Sequence, residues 1–366
     1  MKILYITTVG ATMEFFVPVI RELLDRGHQV DIACNETTVP VADIYRQWNC
    51  IVHPLSCNRY PWTRGNWEAV KEIRQLVENN HYDVVHCHTP IVAACTRLAC
   101  RSVRKRGTKV FYTAHGFHFY KGAPLMNWLV YFPVELICSV WTDLLITINR
   151  EDYDLARKFL PAKRVEHVPG VGIDLNRFTH DERARPEKRR ELGIPEDSMV
   201  LLSVGELSVR KNHKVLLEAG AELPELQIVI AGSGPLAEEL EAQAERLGMK
   251  NRVRLLGYRK DVAQLCAMCD IFALPSWQEG LPVALMEAMA SGKTVVCSRI
   301  RGNTDLLGKN SALLFNPADA FDCARAIREA MAYDRAVQGA ENRNRVLPFS
   351  VENVVKKMLP LYGITE

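Results

Sequence analysis

Asp270-Ile271-Phe272-Ala273-Leu274-Pro275 is followed by Ser276-Trp277-Gln278-Glu279-Gly280-Leu281-Pro282-Val283-Ala284-Leu285-Met286-Glu287-Ala288-Met289-Ala290, and then by Thr294-Val295-Val296-Cys297-Ser298. The two outer runs are short, apolar and rich in β-branched residues, as strands are. The middle run opens on Pro282, which suits a first helical turn, and continues almost wholly apolar to Ala290. Strand, helix and strand in succession, with no polar face on either strand, mean a parallel sheet covered on both sides.

The same alternation extends in both directions. Upstream in the same half, strands are expected at Met199–Gly205, Leu226–Gly232 and Arg252–Tyr258, with helices at Lys211–Ala221, Pro235–Gly248 and Val262–Met268. A further helix is expected at Ala318–Tyr333. The first half carries expected strands at Lys2–Val9, Gln29–Cys34, Cys50–Leu55, Asp83–His88, Lys109–His115 and Asp143–Asn149. Its expected helices are Met13–Arg26, Gly65–Asn80 and Pro90–Arg106. Between the halves lies Val168-Pro169-Gly170-Val171-Gly172, a hinge-like composition, followed by the charged run Asp181–Glu191. The expectation is an α/β chain of two doubly wound, Rossmann-like domains facing a cleft, residues 1–172 and 173–346. The C-terminal segment 347–366, with a helix at Val351–Leu361, has no strand to serve and is expected to pack back onto the first domain. In such sheets ligands bind at the carboxyl ends of strands.

The chain has 366 residues, 46 basic and 43 acidic, a net charge of +3. That balance lacks the basic excess of a general nucleic-acid binder. A hydrophobic fraction of 48% with 24% charged residues excludes a disordered chain, a collagen and a disulfide-dense mini-domain. The opening run Met1–Thr8 is too short for a signal peptide, and no stretch reaches the ~18 clean apolar residues of a membrane span. The nearest, Met126–Trp141, is interrupted by Asn127, Pro133 and Glu135. Eleven cysteines are then expected to be reduced thiols in the cytoplasm, with attachment at the inner face of the cell membrane left open.

Glu287 is the odd residue of the decisive stretch: a carboxylate inside an apolar helix. Such a group needs donors, and the vicinal hydroxyls of a sugar can supply two to one carboxylate. A buried arginine would serve equally. Glu279 lies near the start of the same helix, whose unpaired N–H groups attract phosphate, or else is a solvated loop acid.

Glu279 and Glu287, separated by seven residues and followed by Ala288-Met289-Ala290-Ser291-Gly292, resemble the paired-glutamate signature of retaining GT-B glycosyltransferases of family 4. Val204-Gly205-Glu206-Leu207-Ser208-Val209-Arg210-Lys211-Asn212-His213 resembles that family's phosphate-binding segment, and Ala231-Gly232-Ser233-Gly234-Pro235 its next strand end. Thr113-Ala114-His115-Gly116-Phe117-His118 is similar to its central first-domain motif. The run His115–Pro124, Thr147-Ile148-Asn149 and Val168–Asp174 are most similar to transferases of capsule and exopolysaccharide assembly.

The resemblance implies transfer of a hexose or N-acetylhexosamine from a UDP-sugar, with retention, to a glycan acceptor linked to a lipid diphosphate. The UDP-sugar would be substrate, with no cofactor and no metal. Glu287 would hold the ribose, Lys211 and Arg210 the diphosphate, and Glu279 with Gly280 and Leu281 the donor sugar. Gly10, Gly205 and Gly234 would allow close backbone approach to the donor. His115 would lie beside the reacting sugar, making His115, Glu279 and Lys211 the catalytic candidates. Two departures stand out: Glu206 occupies a position where many members carry arginine, and the first loop has one clear glycine, Gly10, rather than two.

Simpler readings accompany these. Arg210 and Lys211 could be solvated helix-start charges, His115 a packing histidine and Gly10 a tight turn. Arg59 and His88 are acceptor-side candidates, with Trp62 beside Arg59. Arg97, Arg101, Arg104, Lys105, Arg106 and Lys109, with the aromatics of Tyr120–Trp141, could meet anionic lipid headgroups or form an ordinary solvated face over core aromatics. His86-Cys87-His88 and Cys266-x-x-Cys269 superficially resemble metal ligands; structural side chains are the expectation, because no second ligand pair stands at zinc spacing. Asp152-Tyr153-Asp154 reads as first-turn acid chemistry after Asn149. The competing activities are a UDP-N-acetylhexosamine 2-epimerase of the same fold, a non-catalytic UDP-sugar-binding protein, and a nicotinamide dehydrogenase. The last is disfavoured: Ala237 replaces the third glycine of the fingerprint, and no ribose-binding acid ends the next strand.

Overall fold

The computed structural model describes residues 1–37, 39–178 and 183–364. The chain divides into two compact units: Met1–Gly172 together with the segment from Val351, and Ile173–Ser350. The first unit carries seven strands, β1 (Lys2–Val9), β2 (Gln29–Asn35), β3 (Val52–Pro54), β4 (Val84–His88), β5 (Lys109–Ala114), β6 (Leu144–Thr147) and β7 (Val165–His167). They form one sheet in the order β3-β2-β1-β4-β5-β6-β7, with every pair parallel. The second unit carries β8 (Met199–Val204), β9 (Leu226–Ala231), β10 (Val253–Leu255), β11 (Ile271–Leu274), β12 (Thr294–Ser298) and β13 (Leu314–Phe315). Its sheet order is β10-β9-β8-β11-β12-β13, again all parallel.

Both orders reverse direction in the middle, between β1 and β4 and between β8 and β11. Such a reversal opens a crevice beyond the strand ends, because the loops on either side turn away to opposite faces. It places the loop after β1 beside that after β4, and the loop after β8 beside that after β11.

The strands form where the apolar runs lie, and the crossovers are helical because parallel neighbours need a long connection. In the first unit, Ile3, Tyr5 and Ile32 pack on one face of the sheet, and Leu4, Ile6, Val85 and Tyr112 on the other. Two short edge strands, β7 and β13, are absent from the sequence-based expectation: three and two residues carry too little periodicity to register. The expected helix Met13–Arg26 is instead a 3-10 turn, Gly10–Phe16, followed by a helix at Val17–Asp25 that starts around Pro18. Helix Pro90–Ala99 breaks at Cys100 before a short turn at Arg101–Arg104. An apolar helix over Leu125–Ser139 lacks a clear period and was not expected. The charged run Asp181–Glu191 is helical over Ala184–Glu191, and its first two residues lie outside the described ones.

After a 3-10 turn at Leu347–Phe349, helix Val351–Met358 packs against helix Val17–Asp25 in the first unit. Val354, Met358, Leu359 and Tyr362 join that unit's core. No helix among the described residues is long and apolar enough to cross a membrane. All eleven cysteines are buried free thiols. Cys266 and Cys269 sit at one helix end, and no group of three metal-ligating side chains occurs among the described residues.

Candidate active site

In the second unit the loops after β8 and β11 meet at the sheet reversal. The β8 loop makes a 3-10 turn at Val209–Lys211, then Asn212 takes a left-handed conformation (φ +55°) that starts helix His213–Ala221. Asparagine tolerates that conformation better than most residues. Its side chain donates to the carbonyls of Pro275 (3.1 Å) and Pro317 (2.9 Å), locking the turn to the β11 loop. The backbone N–H of Trp277 donates to the Arg210 carbonyl at 2.9 Å.

This clamp brings two cations onto one carboxylate. Lys211 Nζ donates to Glu279 Oε1 at 2.8 Å, and Arg210 Nη1 approaches Glu279 Oε2 at 3.4 Å. Ser276 Oγ donates to the same Oε1 at 2.7 Å. The Glu279 and Lys211 side chains are 9% and 13% exposed, whereas Arg210 is 46% exposed. A solvated acid does not describe Glu279, nor a solvated cation Lys211, while Arg210 stays exposed. Its formal charge is +1, with the arginine on the wet side. Glu206 is exposed at the position where many family members carry arginine, and Arg210 stands as the second cation.

Glycines set how tightly the loops stack. A Cβ on Gly205 would lie 3.2 Å from Lys211 Cε, and one on Gly232 would sit 1.8 Å from the Gly205 carbonyl. On Gly234 it would meet the Leu207 carbonyl at 2.5 Å. Gly302, with φ +77°, faces the Gly280 carbonyl at 2.4 Å from where its Cβ would be.

Helix Val283–Ala290 follows the β11 loop with Pro282 as its N-cap, and Leu281 is buried just ahead of it. Glu287 lies mid-helix, largely buried, and burial raises its pKa; the Arg177 charge opposes this more weakly. Among the described residues its carboxylate forms no ion pair or hydrogen bond, so the buried-arginine alternative is not what the structure shows. Glu287 and the Glu279 cluster are not linked by a described contact.

In the first unit, β1, β4 and β5 end at a group of histidines. Thr8 and Thr89 hydroxyls meet at 2.7 Å across the sheet reversal. His88 Nδ1 and His115 Nε2 are 3.2 Å apart, and the Phe16 ring stacks on His88 with centroids 4.0 Å apart. Burial lowers His115 to about 4, so its ring is neutral near pH 7. Burial also holds His88 well below its ordinary value. Below them, His86 joins the Thr113 hydroxyl at 2.8 Å and the Tyr362 hydroxyl at 2.5 Å, and Tyr362 in turn bonds Tyr5.

His88, the other acceptor-side candidate, is 1% exposed, stacked under Phe16 and in contact with His115. Arg59 is exposed in the loop after β3 and has no described contact with either histidine. Gly10 is more than a tight turn, since its Cβ would fall 2.5 Å from the Val39 carbonyl.

Residues 17–177 match the family described as Glycosyltransferase Family 4, and residues 184–345 that described as Glycosyl transferases group 1. EpsD of Bacillus subtilis (strain 168), assigned as a glycosyltransferase, is 34% identical over 374 residues, spanning 99% of this chain and 96% of EpsD. The chain belongs to the family-4 glycosyltransferases of the exopolysaccharide type. The UDP-Gal:alpha-D-GlcNAc-diphosphoundecaprenol alpha-1,3-galactosyltransferase of Escherichia coli is 30% identical over 250 residues, 66% of this chain and 64% of that one. The crystal structure of Anabaena Alr3699/HepE in complex with UDP and glucose shares the fold with a TM-score of 0.82 at 20% identity, covering 99% of each chain. The fold of this family-4 glycosyltransferase is therefore GT-B.

Ser276 and Asn212, which hold the glycosyltransferase's cation–carboxylate cluster, were not singled out from the sequence. Polar residues at strand ends are too common to be noticed there. The basic stretch also needs correction. Arg97 is fully buried, paired with Glu135 through two bonds of 2.5 and 3.1 Å, and lies over the Tyr112 ring. Arg104 pairs with Asp143, while Arg101 lies over Trp141 at 4.5 Å. Asp152 is buried, its N–H capped by Asn149, and its carboxylate accepts from the Phe117 N–H at 3.0 Å, holding the loop after His115.

Proposed function

We propose that this glycosyltransferase moves a hexose or N-acetylhexosamine from a UDP-sugar to a glycan carried on a lipid diphosphate, with retention at the anomeric carbon. The observation that carries this reading is the convergence of Lys211 and Arg210 on Glu279 at the reversal of the second sheet. As the bond between the anomeric carbon and the diphosphate breaks, charge develops on the departing UDP. Cations fixed in advance stabilise that charge without reorganisation. In this reading the two protein cations do so without a divalent metal.

Glu287 would accept from both ribose hydroxyls, which accounts for a largely buried carboxylate that has no hydrogen-bond partner among the described residues. Glu279, with the backbone of Gly280 and Leu281, would face the donor sugar. Gly10, Gly205 and Gly234 would admit the diphosphate close to the backbone. The acceptor oxygen would bond to the anomeric carbon on the face the diphosphate leaves, its proton passing to a phosphate oxygen of UDP. His115 would contact the sugar as a neutral ring, with His88 holding it from behind. The relatives support the substrate classes: the Escherichia coli enzyme is named for a UDP-Gal donor and a diphosphoundecaprenol-linked acceptor, and the Anabaena structure contains UDP and glucose. Exposed Leu125, Met126 and Leu129, with Arg101 and Lys105 on the same unit, support contact with the inner membrane face.

The test is UDP release from a panel of UDP-sugars, with and without lipid-diphosphate-linked acceptors. Acceptor-dependent release with an α-linked product from an α-linked donor is expected. Conversion of donor alone would indicate the 2-epimerase, and an inverted product would refute retention.

A further inference from the structure

The first unit contains an apolar pocket of about 440 Å³ that the donor chemistry does not use. Helices Arg64–Asn80, Pro90–Ala99 and Leu125–Ser139 supply its walls. Ala94, Leu98, Val134 and Ile137 line it, together with Trp62 and Trp141. The one carboxylate among the lining residues, Glu135, is taken by Arg97, so the pocket presents no free charge. Water gains little in such a space, and an apolar ligand gains its whole buried surface.

Two features say what kind of ligand. Phe117, His118 and Phe119 line the pocket and belong to the loop that starts at His115, so the pocket adjoins a strand-end loop. Pro61 and Trp62 line it from the loop after β3, in which the Cys57 thiol lies 3.5 Å from the Thr8 carbonyl. Arg59 lies in that loop, exposed and without an ion pair among the described residues. An anion followed directly by an apolar chain would meet Arg59 first and the pocket next.

We propose that the pocket receives the first isoprenoid units of the acceptor lipid, with Arg59 meeting the diphosphate; this rests on the lipid-diphosphate acceptor proposed above. At ~30 Å³ per water-sized group, the volume holds about fifteen carbons, or three isoprene units. The methyl-branched chain packs on the faces of Trp62, Trp67 and Phe119. The exposed apolar residues Leu125, Met126 and Leu129 on the wall helix continue the path outward for the rest of the chain.

The test is calorimetric titration of the whole protein with farnesyl diphosphate, inorganic diphosphate and dodecyl phosphate. Farnesyl diphosphate is expected to bind about a hundredfold more tightly than inorganic diphosphate. Ala94→Phe, which fills the pocket, and Val134→Glu, at a lining position that is 37% exposed, should each weaken it about tenfold or more. Arg59→Gln should weaken both diphosphates alike. Equal affinity for farnesyl and inorganic diphosphate, unchanged binding in folded Val134→Glu protein, or equally tight dodecyl phosphate would overturn the assignment. If farnesyl diphosphate binds as expected but no UDP-sugar and acceptor pair releases UDP, the proposed activity fails and the pocket stands. If transfer proceeds and farnesyl diphosphate does not bind, the pocket fails alone.

Discussion

Replacing Lys211 by methionine separates two roles that one ammonium holds. The 2.8 Å pair with Glu279 is 13% and 9% exposed, close to buried. Removing one partner of a buried pair costs about 3–5 kcal/mol. Here Ser276 and Arg210 remain on the carboxylate, so the cost falls to the bottom of that range or below it, about 2–3 kcal/mol of stability. Catalysis should lose more. Loss of one preorganised donor from a site of developing negative charge costs about 3–4 kcal/mol, or 10²–10³ in kcat. Adding Glu279→Gln to Lys211→Met removes the stranded charge, so the urea midpoint should recover most of the way while UDP release stays low. The assays are urea unfolding followed by fluorescence and UDP release at saturating donor. If Lys211→Met keeps kcat within threefold, or if the double variant regains activity along with stability, the ammonium serves the carboxylate alone and the leaving group is held elsewhere.

Glu287→Gln should raise the donor KM about tenfold or more, because the amide accepts from one ribose hydroxyl instead of two. It should unfold no earlier than the parent, since a raised carboxyl pKa marks a charge that folding disfavours at pH 7; thermal midpoints check this. Arg97→Met should cost about 3–5 kcal/mol by stranding Glu135, and Arg97→Met with Glu135→Leu should regain most of it, read from urea midpoints. His86 is held at about 3 and His213 at about 4 by burial, below their unfolded value near 6.5. Their stabilising share is present above the unfolded value near 6.5 and is lost as pH falls through it toward about 3 for His86 and about 4 for His213. Between pH 7 and pH 5 the loss should be about 2 kcal/mol for each ring, and His213→Gln should remove one ring's share of the pH dependence.

The alternation of apolar runs and helical stretches was legible along the whole chain, because parallel strands buried on both faces are mostly apolar, with few polar exceptions such as His86 and His88 in β4. Lys2–Val9 and Thr294–Ser298 match residue for residue. The edges β7 and β13 were not legible, since short edge strands are made by their neighbours rather than by their own pattern. Glu287 announced itself by being charged where everything around it is apolar. Arg97 did not: among five other basic residues it reads as surface, and only the packing of helix Leu125–Ser139 gives it Glu135 and a place inside.

From residue order alone came the two α/β units, the paired glutamates and the glycine-bearing turns, each a local property in which side-chain chemistry and spacing suffice. Which charges meet was decided by tertiary structure. Lys211 and Glu279 are 68 residues apart and touch because β8 and β11 adjoin where the sheet reverses. His88 and His115 meet because β4 and β5 lie side by side. An ion pair or a shared proton depends on distances of a few ångströms, and strand order, not the spacing along the chain, sets those distances.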